Sequence, residues 1–198
     1  MKKYIFLLFI LATAQTTFSQ ISISGKVQDA NAAAICGASV ELLDENGTSL
    51  ATTLTDENGD FSYTDLAAGA TYQVRVEKAD AILNGLSTFD LVLMNNHILG
   101  VRLIENPFIL YAADLNASAS LSVYDLILLR RIILGIDSEV SIPVWQFFSR
   151  DANAADLNDP ATIQTQRFEN LTTSIETADF IGYKSADINF TATNSCGN

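Results

Sequence analysis

From Ile21 to about Lys78 the chain repeats its apolar positions with a period of two. Ile21/Ile23, Val40/Leu42, Leu50/Leu54, Phe61/Tyr63 and Tyr72/Val74/Val76 each stand among polar neighbours, as strands do when one face is buried. Glu45-Asn46-Gly47, Glu57-Asn58-Gly59 and Ala68-Gly69 lie between the runs, where their residue types suit hairpin reversals. A small antiparallel β-sandwich is expected here. Further on, the apolar residues crowd into two runs, Leu86 to Gly100 and Leu121 to Gly135, which share eight of fifteen residues. In each, a serine and then an aspartate precede the run and a glycine ends it, the order of a capped helix. Both runs are apolar on nearly every side, so the two helices must pack on each other and on a third element.

The residues before the second helix carry chemistry. Counting back from Asp125 as position twelve, Asp114 is at one, Asn116 at three, Ser118 at five, Ser120 at seven and Ser122 at nine. This is the ligand spacing of an EF-hand calcium loop, in which alternate residues turn oxygens inward. Position six, normally glycine, is Ala119, which costs about 1 kcal/mol if its φ must be positive. The first helix keeps only Asp90, because Ala79, Ala81 and Leu83 stand at its loop positions one, three and five. The string that opens the good loop, Ala113 to Asn116, recurs near the C-terminus as Ala186 to Asn189. The tail is therefore expected to supply Asp187 and Asn189 to a first site completed by Asp90; a plain solvated loop is the alternative.

The duplicated loop and helix resemble a type I dockerin, a calcium-stabilised module of bacterial exported proteins. The resemblance covers Leu86 to Gly135 and implies calcium, at one site or two, and a cohesin-like or other cell-surface protein partner. It places the partner-binding positions at Thr88-Phe89, Val123-Tyr124 and Arg130-Arg131. The aromatic residues among them suit burial better than a polar interface, so an internal structural role for this face is expected ahead of cohesin-type binding. The front segment, with ISGKV, GASVEL and the run from Thr52 to Lys78, resembles the carboxypeptidase regulatory-like domain, a transthyretin-like sandwich akin to collagen-adhesin B-type repeats. Such repeats sometimes carry a Lys–Asn isopeptide bond. Lys26 lies near the right strand, but Tyr72 to Glu77 holds no Asn or Asp, so an ordinary sheet lysine is expected.

The reading is thus α+β: a signal at 1–19, an immunoglobulin- or transthyretin-like sandwich at 20–78, and a mainly α, EF-hand-like dockerin domain at 79–198. Lys2 and Lys3, the apolar stretch Ile5 to Ala12 and Thr17-Phe18-Ser19 form a secretory signal cleaved between Ser19 and Gln20, too short to span a bilayer. Losing the two lysines takes the net charge from −12 to −14. Such a surface repels nucleic acid and anionic membranes. Cys36 and Cys196, the two cysteines, suit either a disulfide in an oxidising compartment or two free thiols.

The rest of the chain adds little catalytic chemistry. His97, the sole histidine, falls near a helix end and is expected to cap or fill space. No phosphate loop, nucleophile elbow or zinc spacing is present. The acidic run from Asp151 to Asp159 fits no standard loop. Trp145, within Ile142 to Phe148, is expected to be buried; an exposed ring would instead suit a polysaccharide. A short connector with one helical turn is expected over Val101 to Ala113, and a helix over Ala178 to Lys184. A non-catalytic, secreted or cell-surface module follows, whose helical unit serves structural docking, protein attachment or, third, carbohydrate binding.

Overall fold

The computed structural model describes residues 20–194, so the signal segment and Cys196 lie outside the described residues. Five strands come first: β1 (Gln20–Asp29), β2 (Ser39–Leu43), β3 (Ser49–Leu54), β4 (Asp60–Ala67) and β5 (Ala70–Glu77). Two of their reversals share one device. Asp44 accepts from the amides of Asn46 and Thr48, both at 2.8 Å, and Asp56 accepts from those of Asn58 and Asp60 at 2.8 and 2.9 Å. Gly47 and Gly59 follow with φ of 81° and 77°, which glycine reaches without strain.

The helices are α1 (Thr88–Ile98), α2 (Pro107–Ala113) and α3 (Val123–Ile133), followed by β6 (Trp145–Ser149), a 3-10 turn (Ala154–Asn158), α4 (Ala161–Gln164), β7 (Thr165–Leu171) and β8 (Phe180–Lys184). The repeat expressed in sequence is a repeat in structure. Ser87 caps α1 and Ser122 caps α3, each in a reciprocal box with the aspartate three residues on.

The boundary read at residue 78 is corrected by the sheets. One runs β4-β1-β8-β6 and the other β3-β2-β5-β7, so three strands from beyond residue 144 complete the sandwich. β8 lies parallel to β1 and antiparallel to β6. Ala178 to Lys184 is accordingly not a helix. Four of the five residues of β8 are buried, so it lacks the alternation that marks a half-buried strand. Phe180, Phe147 and Trp145 share one core with Ile23, Val27, Ile35, Val40, Leu42 and Val74.

A second core lies between the helices. Met94 of α1, Leu129 and Ile132 of α3, and Leu115 pack with Ala186 and Ile188 from the tail. The tail is the third element that the two apolar helices require.

Candidate metal centre

In the loop before α3, the five expected residues converge. Asp114 is buried; its Oδ1 accepts from the Ser118 amide at 3.0 Å and its Oδ2 from the Ser120 amide at 3.2 Å. Asn116 Oδ1 accepts from the Ser118 amide at 3.1 Å, and Ser118 Oγ lies 3.1 Å from the Ser120 carbonyl oxygen. Asp125 closes the loop: Oδ1 accepts from the Asn116 amide at 3.3 Å, and Oδ2 holds the Ser122 amide and hydroxyl at 2.9 and 2.8 Å. Ala119 adopts φ of 63°, the backbone for which this position ordinarily uses glycine.

The same arrangement recurs with its two halves far apart in sequence. Asp187 Oδ1 accepts from the Thr191 amide at 3.1 Å, as Asp114 does from Ser118. Thr191 Oγ1 lies 2.8 Å from the Gly85 carbonyl oxygen, five residues before Asp90, as Ser120 is five before Asp125. Asp90 holds Ser87 through its amide and hydroxyl, both at 2.9 Å, and accepts from the Ile188 amide at 3.0 Å. The structure thus brings together Asp90, Asp187 and Asn189. Gly85 has no substitute here, since φ is 83° and a Cβ would fall 2.5 Å from the Ala192 nitrogen and 2.6 Å from Asp187 Oδ2.

The donor set has the chemistry of a hard-cation site. The side-chain oxygen of Asn189 lies among other oxygens: Asp187 Oδ1 at 2.8 Å, Asp90 Oδ1 at 3.2 Å and the Thr191 hydroxyl at 2.9 Å. Oxygens around calcium at 2.3–2.6 Å stand about 3 Å from one another, a spacing that hydrogen-bonded pairs share. Turning the amide, so that its N–H groups donate to the same atoms, is the alternative without metal. Charge is modest. Among the described residues no three His, Cys, Asp or Glu side chains gather as a metal cluster; each loop combines two carboxylates with neutral oxygens. Burial pushes the Asp187 carboxyl up, with the nearby Asp90 charge acting in the same direction against hydrogen bonds from the Thr191 and Ala192 amides. A cation between the two acids would relieve that repulsion.

Gly85 and Thr191 escaped sequence reading, although register held the clue. Aligning Asp187 with Asp114 puts Thr191 on Ser118, and aligning Asp90 with Asp125 puts Gly85 on Ser120.

A buried polar cluster joins this site to the sandwich. Lys184, 2% exposed, donates to the Ala81 and Ile82 carbonyls at 2.9 and 3.3 Å and lies 3.8 Å from Asp80. Asp80 in turn accepts from Trp145 Nε1 at 3.0 Å and Asn84 at 2.8 Å. Burial pushes the Lys184 ammonium down to about 8, against the pull of Asp80 and Asp187. Below that pH the folded state carries a cost of about 3 kcal/mol. Between about pH 8 and pH 9.5 the unfolded chain keeps a proton the folded chain has lost, so stability rises with pH. Higher up, Tyr63, raised to about 12 by burial, acts in the opposite sense. Denaturant melts should show the rise, and Lys184→Met should abolish it; a flat wild-type profile would refute the assignment.

The six positions assigned to partner binding are all exposed. Thr88 and Phe89 on α1, and Val123, Tyr124, Arg130 and Arg131 on α3, face solvent, with Phe89 54% and Tyr124 56% exposed. The expectation that these aromatics are buried in an internal contact is corrected: Met94, Leu129 and Ile132 fill the core from the opposite faces of the helices. The exposed set is itself repeated, Val92 with Ile127 and Leu99 with Leu134. Arg131 is engaged by Asp137 at 2.6 and 2.7 Å.

Other candidates resolve simply. Trp145 is 4% exposed and stacked on Phe147, so it offers no ring face to a sugar. Lys26 pairs with Asp60 at 2.7 Å. His97 Nδ1 accepts from the Ile104 amide at 3.0 Å and closes the turn after α1. Cys36 is buried against the sandwich. Within the acidic run, Asn153 caps the 3-10 turn. No helix among the described residues is long and apolar enough to cross a membrane.

No curated protein matches the chain. Among solved structures, BcpA, the major pilin subunit of Bacillus cereus, is 28% identical over 32% of this chain and 20% of its own, with a TM-score of 0.29. A C-terminal fragment of the pilus adhesin SpaC from Lactobacillus rhamnosus GG is 23% identical over 32% of this chain and 25% of its own, with a TM-score of 0.27. The chain therefore spans a quarter or less of the length of these structures. Residues 22–81 match the family model of the carboxypeptidase regulatory-like domain, and the two sheets that hold this segment are completed by strands from more than sixty residues downstream.

Proposed function

We propose that the protein is a non-catalytic module of the cell surface or secreted space, in which a regulatory-like sandwich carries a calcium-braced, dockerin-like pair of helices that presents a repeated apolar face to a protein partner. The observation that carries this reading is the recurrence of one oxygen arrangement in two loops, one local to Asp114–Asp125 and one split between Gly85–Asp90 and Asp187–Thr191. Two unrelated solvated loops would have no reason to share it. Calcium fits better than magnesium, because the donors are all oxygens and a flexible loop tolerates irregular coordination that magnesium does not.

Exposure of Phe89 and Tyr124 favours a partner over internal docking, since large aromatics cost least when covered. Equivalent positions of the repeat are exposed on both α1 and α3. Calorimetric titration of the chain with calcium tests the metal part, with two bound ions expected.

A further inference from the structure

The two sheets have four edges, and three of them are guarded. β4 bears Asp60 and Asp65, with Asp65 at φ of 60° and a register shift against β1. β6 is buried along nearly its whole length. β7 bears Arg167 and Glu169. Charges, bulges and covering elements are the means by which proteins stop sheet edges from pairing. β3, at the fourth edge, has the sequence Ser-Leu-Ala-Thr-Thr-Leu, with no charge and no proline. Its one irregularity, between Leu42 and Leu43, falls beside Leu50 and leaves Ala51 to Leu54 in regular register with β2. Leu50 and Leu54 are 54% and 64% exposed.

We propose that β3 is a pairing edge for a second copy of this chain, the two β3 strands running antiparallel about a two-fold axis at Thr52. The pattern of the strand is what singles out a second copy. Ala51 and Thr53 lie opposite the buried Leu42 and Val40, which puts Thr52 and Leu54 on the outer face of the sheet, and Leu50, at the irregularity, is exposed beside them. Antiparallel pairing about Thr52 sets Leu50 against Leu54 of the other copy, Thr52 against itself, and Ala51 against Thr53. The strand is thus nearly its own complement, as an isologous contact requires. Charge points the same way. In a chain of net charge −12, two copies approach at least electrostatic cost along an exposed edge strand that carries no charge, and of the two uncharged edges β6 is buried. Pairing would join the sheets into one of eight strands, β7-β5-β2-β3 continued by its symmetry mate.

A contact of this size is of the weak, transient class, so the test spans concentration. Sedimentation velocity of the chain over about 10 to 200 µM should show a monomer passing into a dimer. Added salt should strengthen the dimer, because screening weakens repulsion between acidic chains while leaving backbone pairing intact. Thr52→Lys puts two ammonium groups face to face at the axis, yet within one chain it stands opposite Glu41, so folding is preserved. That variant should stay monomeric throughout. Thr52→Cys, oxidised at concentrations where the wild type dimerises, should cross-link two chains through residue 52. A wild type that remains monomeric over the range, or a dimer that Thr52→Lys leaves unchanged, overturns the proposal.

Discussion

Replacing Asp90 by Ala is expected to destabilise the protein by about 3–5 kcal/mol, with a similar loss for Asp125→Ala. Each carboxylate is fully buried, and each does three jobs. It closes the capping box of its helix, a contribution of about 1 kcal/mol. It satisfies a backbone amide from the facing loop segment, Ile188 for Asp90 and Asn116 for Asp125. It also ends the oxygen ring. With the side chain gone, the serine amide and hydroxyl and the loop amide lose their acceptor, at about 1–3 kcal/mol for each buried donor left unmatched. In a chain of this size the melting temperature should fall by roughly 10 °C or more. Asp90 should matter beyond α1, since it receives the tail. A fall of less than a couple of degrees in either variant would mean that the carboxylates are not the joints described.

The second large effect lies outside the family-matched segment. Phe180 is 0% exposed, in the core shared with Ile23 and Val27, and β8 supplies the partner that β1 has on the side away from β4. Phe180→Ala should cost about 3–5 kcal/mol, the usual range for truncating a buried aromatic ring, and should unfold the whole sandwich rather than only the tail. Chemical denaturation followed separately by Trp145 fluorescence, which reports β6, and by far-UV signal should give coincident transitions. Separate transitions would show residues 20–77 folding independently of β8.

Much of this arrangement is legible in the sequence where local rules govern. The alternation of β1, β2, β4 and β5, the Asn-Gly turns and the two capped helices each follow from a few adjacent residues. So does the loop from Asp114 to Asp125. The split site is legible only as an echo, ADLN against ADIN, because nothing local says that a C-terminal segment returns to a helix a hundred residues earlier. β8 is hidden for another reason. Its residues are buried on both faces, and a short apolar run of that kind has no period to read. Phe89 and Tyr124 show the limit of composition: large aromatics are usually buried, but α1 and α3 are apolar on more than one face, and the core is filled by Met94, Leu129 and Ile132 with Leu91, Leu93, Leu126, Leu128 and Ile133 packed around them. Trp145 and His97 fall where ordinary packing and capping would put them.

The central claim is that one metal-binding arrangement occurs twice, the second time with a tail returning to complete it. Calorimetric titration with calcium of the chain, Asp114→Ala and Asp187→Ala measures this most directly, since neither substitution touches a capping box. The account predicts two calcium ions for the unaltered chain and one for each variant, with the melting temperature raised by calcium; a site at a hundredfold excess over its Kd adds about 2.7 kcal/mol. Stoichiometry that Asp187→Ala leaves unchanged would contradict the split site, and no binding by the unaltered chain would leave the Asn189 amide, turned to donate, as what holds the tail.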